Sequence, residues 1–355
     1  MGSPSHPLAI RADAGARMGT GHLMRCLALA QAWHDAGGSC VFLAAELPAA
    51  LEDRLATEGM PVRRVRAEPG SAADAEQTAR LARATGAAWV VVDGYGFGTS
   101  FQRALKQAGL WVLAHDDYGH CDHYHADLVL NQNLHAEEAP YRRREPSTRL
   151  LLGTDYVLLR REFLAYGDWE RAIPGVGRKV LVTLGGADPE NITERVIPAL
   201  GMVPIEGLEA VVVVGGSNPH LNALRGTVAR SGLRCELRVN VSDMAGLMAW
   251  ADAAVTAGGS SVWELARLGV PALGIGRAPQ ETQLLRGAAA RGMVIDLGFH
   301  RDVTPELIAV RLARLLRDPA ERARLSQTSR RMVDGMGPRR VLQAMSETEQ
   351  GPARA

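Results

Sequence analysis

Short apolar, β-branched runs recur along this chain, each followed by a stretch rich in Ala, Leu and Arg, and this alternation constrains the fold more than any other feature. The runs at 8–11, 40–44, 89–92, 110–114, 180–183, 210–214 and 253–256 predict buried strands. The patterns at 23–34, 72–84 and 101–107 predict helices between them. Strands alternating with helices imply parallel sheets with right-handed crossovers. The chain of 355 residues suits two such α/β domains. The charged, Pro174-containing segment 163–178 is the natural boundary, which predicts Rossmann-like domains over 1–165 and 175–345 with parallel sheets facing a central cleft. Ligands of such folds bind at the carboxyl ends of the strands, so the cleft is the expected site. An amphipathic helix at 330–346 and a frayed tail GPARA are expected to close the chain.

Composition removes several functional classes. Hydrophobic residues make up 46% and charged residues 22%, the balance of a globular protein. Lys and Arg number 40 against 39 Asp and Glu, with no basic block, so neither nucleic acid nor an anionic membrane is an expected partner. The four cysteines are scattered without a CxxC pair, so no disulfide framework or zinc ribbon is implied. Residues 1–10 lack the pattern of a secretory signal and no apolar run reaches a membrane span, so a cytoplasmic location is expected.

The segment IRADAGARMGTGHLMRCLALAQAW carries the most chemistry. A strand ends near Arg11, Gly15, Gly19 and Gly21 punctuate a loop, and Leu23, Cys26, Leu27 and Ala30 share one face of the helix that follows. Glycines let backbone approach a ligand closely, and the helix start favours an anion. His22 lies in the first helical turn, and an imidazole titrating near neutrality can take a proton from water or a hydroxyl. By itself the loop is equally a plain connector with a histidine at a helix start. A dinucleotide fingerprint is not met, because Met24 stands where its third glycine belongs.

In the second half, VLVTLGGADPENIT reads as strand, glycine turn and helix entry. Gly185 and Gly186 are placed to offer N–H groups to a diphosphate, with Asp188 and Asn191 nearby. Asp188 could instead cap the helix ahead of Pro189. The stretch VTAGGSSVWELARLGVPAL repeats the shape, with Ser260 and Ser261 at a helix start. Glu264 follows Ser261 by three residues, a spacing that fits a capping box as well as a carboxylate accepting from a ribose diol. The run HDDYGHCDHYH looks metal-binding but lacks a closed four-ligand spacing, and a solvated polar loop is expected there, with no metal. A serine-hydrolase elbow, a Walker A loop and a DxD motif are all missing from the sequence.

Taken in order, these motifs resemble one family. Arg11, Asp13, Gly19-Thr20-Gly21-His22 and Arg25-Cys26-Leu27 are similar to the opening of the UDP-2,4-diacetamido-2,4,6-trideoxy-β-L-altropyranose hydrolases of pseudaminic acid synthesis. Val92-Asp93-Gly94-Tyr95, Asp116-Asp117, Asn131-Gln132-Asn133, Leu152-Gly153-Thr154-Asp155-Tyr156, Arg160-Arg161-Glu162-Phe163, Leu184-Gly185-Gly186-Ala187-Asp188 and Ala257-Gly258-Gly259-Ser260-Ser261 follow collinearly. The resemblance implies a GT-B-like fold and hydrolysis of a UDP-sugar without metal or cofactor. His22 then stands at the position of the base, Tyr95 in the sugar pocket and Glu264 at the nucleotide, with Gln280 and Glu281 as weaker nucleotide contacts. Asp13 or another carboxylate would orient the imidazole. The extra histidines of 115–125 depart from the family pattern. Two other functions stay open: a GT-B transferase passing the sugar to an acceptor, and a nucleotide-sugar binder without catalysis.

Overall fold

The computed structural model describes residues 4, 6–15, 19–216 and 218–351. The chain divides into two compact units: Met1–Arg161 with Gly335–Ala355, and Glu162–Asp334. The first unit is built on seven strands: β1 (Leu8–Ala12), β2 (Cys40–Ala44), β3 (Val62–Arg64), β4 (Trp89–Asp93), β5 (Trp111–His115), β6 (Leu128–Asn131) and β7 (Arg149–Leu152). They pair in the order β3-β2-β1-β4-β5-β6-β7, every pair parallel. The second unit carries β8 (Lys179–Thr183), β9 (Glu209–Val214), β10 (Arg234–Val239), β11 (Ala253–Ala257), β12 (Ala272–Gly276) and β13 (Ile295–Phe299). Their order is β10-β9-β8-β11-β12-β13, again all parallel.

The central strands are mostly apolar because both faces are covered. Along β1, Leu8, Ile10 and Ala12 join one core layer while Ala9 faces the other, and all are fully buried. In each sheet the order reverses beside the first strand, between β1 and β4 and between β8 and β11. Loops leaving the carboxyl ends of such a pair diverge to opposite faces and open a crevice. Among the described residues, no helix is long and apolar enough to cross a membrane.

The chain ending differs from the expected single helix. Helix Pro319–Met332 stops, Gly335 turns with φ of 83°, and a separate helix Gly337–Gln350 begins with Pro338 in its first turn. That last helix belongs to the first unit, not the second. It buries Val341, Ala344 and Met345 against the face containing Leu8 and Trp89. Each large side chain so buried contributes about 1.5–3 kcal/mol. Trp89 Nε1 also donates to Glu349 at 2.7 Å. The tail expected to fray lies outside the described residues beyond Gly351.

Candidate active site

In the first unit, four strand ends converge on one polar cluster. The segment after β1 is closed by a Gly15–Gly19 bridge, with Gly19 at φ of 76° and open space where a Cβ would stand. Backbone conformation, not crowding, therefore demands glycine there. Helix Gly21–Asp35 starts immediately after, so Gly21 and His22 occupy its first turn. His22 Nδ1 lies 2.6 Å from Oδ1 of Asp93, the last residue of β4. Because β1 and β4 are neighbours at the switch point, residues separated by 71 positions meet.

Asp93 is fully buried and over-determined. Arg25, one turn after His22, donates Nε to Oδ2 at 2.6 Å and Nη2 to Oδ1 at 2.7 Å, and the Cys26 thiol donates to Oδ2 at 3.5 Å. Burial alone would raise the Asp93 carboxyl, but the charge of Arg25 and its hydrogen bonds hold it well below the usual range. An ionised Asp93 accepts from His22 Nδ1–H, which leaves the Nε2 lone pair as the basic site. The opposite outcome befalls His115 at the end of β5. Burial and the nearby Arg25 push it down to about 4 against the pull of Asp93, so it is neutral at pH 7.

Arg25 continues the network outward. Its Nη1 meets both oxygens of Asp117 at 2.9 and 3.1 Å, and Asn133 Nδ2 donates to the same carboxylate at 2.9 Å. Tyr95, exposed after β4, sets its ring edge-on to His22 at 5.2 Å and lies 5.3 Å from the ring of Tyr118. His22 is thus a partly exposed imidazole with a charged scaffold beneath and aromatic rings beside it.

Other expected ligand contacts in this unit turn inward. Arg11 is fully buried, donating to Asp74 at 3.0 and 2.9 Å and pairing with Asp13 at 2.8 Å. Asp13, also buried, accepts from the N–H groups of Ala45 and Glu46. The pair therefore braces the end of β1, and the carboxylate at the imidazole is Asp93, not Asp13. The loop after β5 is not the solvated segment expected. Asp116 is buried and accepts from Tyr118 N, Gly119 N and Tyr124 Oη at 2.7, 2.6 and 2.6 Å. Burial would lower His120, but Asp116 at 2.6 Å overrides it and carries the ring up to about 10.

The second unit puts backbone turns at the equivalent place. Gly185 follows β8 at φ of 88°, and a Cβ there would sit 2.9 Å from Arg277 Nη1. A Cβ on Gly215 would strike Gly186 O, and one on Gly258 would strike Glu281 O. These glycines let the turns after β8, β9 and β11 pack closely. Arg277, just past β12, donates to Leu184 O at 2.7 Å and grips Glu281 through Nε at 3.0 Å. This puts a cation beside the Gly185 turn. Arg277 carries no motif of its own and was not among the expected site residues, whereas its partner Glu281 was.

Asp188 is buried and caps helix Ile192–Gly201, accepting from Ile192 N at 3.0 Å and Thr193 N at 2.9 Å. Its carboxylate is aimed at backbone, the cap alternative, and not at a ligand. Asn191 is the left-handed N-cap residue, with φ of 48°, and its side chain donates to Glu194. Ser260 is the N-cap of helix Ser261–Arg267 but makes no side-chain cap bond. Glu264 thus falls one position past the register of a capping box. Gln280 is exposed at the start of helix Pro279–Ala290.

No family model matches the chain. A 207-residue stretch is 33% identical to the spore coat polysaccharide biosynthesis protein SpsG of Bacillus subtilis, covering 57% of this chain and 60% of that protein. The chain thus spans less than two thirds of that relative. A 219-residue stretch is 24% identical to the UDP-2,4-diacetamido-2,4,6-trideoxy-beta-L-altropyranose hydrolase of Campylobacter jejuni, covering 61% and 72%. Among solved structures, Acinetobacter baumannii MurG superimposes with a TM-score of 0.63 at 16% identity, covering 96% of this chain and 99% of that one. A rhamnosyltransferase, SpnG, does so with 0.62 at 17% identity, covering 96% and 100%. The two parallel sheets form a GT-B-like fold, and in sequence the chain is similar to SpsG and to that altropyranose hydrolase.

Proposed function

We propose that this chain hydrolyses a UDP-linked 2,4-diacetamido-2,4,6-trideoxy sugar to the free sugar and UDP. The observation that carries the reading is the Asp93–His22 pair, a buried ionised carboxylate 2.6 Å from Nδ1 of an imidazole near solvent. Asp93 fixes the tautomer, and His22 Nε2 takes a proton from water as its oxygen attacks the anomeric carbon. The bond from that carbon to the phosphate oxygen breaks, and UDP leaves with the electron pair. Attack from one face inverts the anomeric centre, and oxocarbenium character develops on the way. Tyr95 lines the sugar. In the second unit the Gly185–Gly186 turn and Arg277 meet the diphosphate charge, while Ser260, Ser261 and Glu264 take the rest of the nucleotide, the carboxylate accepting from ribose hydroxyls. Gln280 and Glu281 border that nucleotide. No cofactor is required.

Replacement of His22 by Ala tests the assignment. Turnover should fall about 10²–10⁴-fold with UDP affinity nearly intact. Unchanged turnover would remove His22 from the chemistry.

Likeness in fold to MurG and to a rhamnosyltransferase supports a second reading, transfer to an acceptor hydroxyl with the same base. An added sugar or lipid acceptor that accelerates UDP release over water alone would favour it. Binding of the UDP-sugar with no turnover at all would favour a binding protein.

A further inference from the structure

The proposed hydrolysis leaves the histidines of the loop after β5 unused, and one group of them has ligand geometry. His123 and His125 flank Tyr124, whose backbone bridges to Arg144. Tyr124 N donates to Arg143 O at 2.9 Å and Glu145 N donates to Tyr124 O at 3.0 Å. In this extended pairing Tyr124 turns inward, fully buried, and the residues on either side of it project to the opposite side. Glu145 is delivered to the same spot from 20 positions along the chain. His123 Nε2 lies 3.1 Å and His125 Nδ1 2.7 Å from Glu145 Oε1. All three donor atoms fall within 4.8 Å of one another.

The geometry points to a divalent transition-metal site of the zinc type, formed by His123 Nε2, His125 Nδ1 and Glu145. Two imidazoles and one carboxylate are zinc's preferred nitrogen and oxygen donors. Metal–ligand bonds of about 2.0–2.1 Å set the edges of a tetrahedron at about 3.3 Å. The two histidine–glutamate spacings already stand near that value, so small side-chain rotations admit an ion. Each neutral ring presents its lone pair to the metal by carrying its proton on the other nitrogen. Water completes the fourth position. The scaffold is held from behind: Thr99 Oγ1 accepts from His123 N and donates to His123 O, and Gln102 Oε1 accepts from His125 N. An ion here ties the loop after β5 to the segment leading into β7.

This site does not depend on the hydrolase reading. Calorimetric titration of the full chain with zinc chloride in chelator-free buffer at neutral pH should show one equivalent bound. His123→Ala and Glu145→Gln, both at partly exposed side chains, should each weaken binding at least about tenfold with the circular dichroism spectrum unchanged. Cys121→Ser should titrate like the parent. Cobalt should give the visible absorption of a four-coordinate site without a thiolate charge-transfer band. Absence of stoichiometric binding would overturn the proposal. So would loss of binding with Cys121→Ser in place of the other two variants, which would put the ion at Asp116, His120 and Cys121.

Discussion

The two units share a topology and differ in what they place at its switch point. Both sheets are parallel and reverse their order beside the first strand, at β1/β4 and at β8/β11. At the first reversal stand His22, Arg25, Asp93 and Asp117, side chains that carry charge and protons. At the second stand Gly185, Gly215 and Gly258, positions where a Cβ would collide, together with one arginine. A side-chain site can move a proton, whereas a glycine-turn site acts by holding charge with backbone N–H groups. Under the proposed function the first unit carries the chemistry and the second the binding, and perturbing each should leave different traces.

The largest effect is expected at the chemical end. Asp93→Asn removes the acceptor that sets the His22 tautomer, and kcat should fall by about 10³–10⁴. UDP affinity, which the proposal assigns to the other unit, should move less than twofold. Equal losses in both would erase the division.

Acid should next expose the buried His115. Its pKa is depressed to about 4 from an ordinary 6.5, so below 6.5 the unfolded chain binds a proton that the folded chain refuses. Stability therefore falls as pH drops from about 6.5 to 4, by roughly 1.4 kcal/mol per unit from this one group. Urea midpoints should show that slope reduced in His115→Asn.

A smaller change is expected at the binding end. Gly185→Ala forces a left-handed alanine at a cost of about 1–2 kcal/mol and crowds Arg277. UDP binding should weaken about tenfold while kcat at saturation stays near that of the parent. Smallest is Glu349→Ala, which removes the partner of Trp89 Nε1. It should cost about 0.5–1.5 kcal/mol, read as a lower unfolding midpoint, with no change in UDP binding.

Among the described residues, seven of the thirteen strands are legible as apolar runs, and they include both strands at each switch point. Three of the others hide for physical reasons. β10, an edge strand, alternates exposed and half-buried residues, and β3 is a three-residue edge of which two are arginines. β12 contains two glycines whose missing side chains admit Leu285 and Thr282. Periodicity also cannot say which unit a helix joins, and so the closing helix was placed with the wrong one. In the site, His22 was visible from its glycine loop, but its partner was not, since Asp93 and Asp13 are equal as residue types. Only the register of β1 on β4 brings Asp93 within reach. The same blindness to direction made Arg11 and Asp188 look like ligand contacts, though both turn toward their own backbone or core.

The most direct test follows the reaction with the UDP-linked diacetamido sugar in oxygen-18 water, with NMR on the anomeric proton and mass spectrometry on both products. Water activated by His22 at the anomeric carbon predicts the label in the sugar, unlabelled UDP, and a first-formed anomer opposite in configuration to the substrate. Label in UDP, or a first-formed anomer of unchanged configuration, would contradict it.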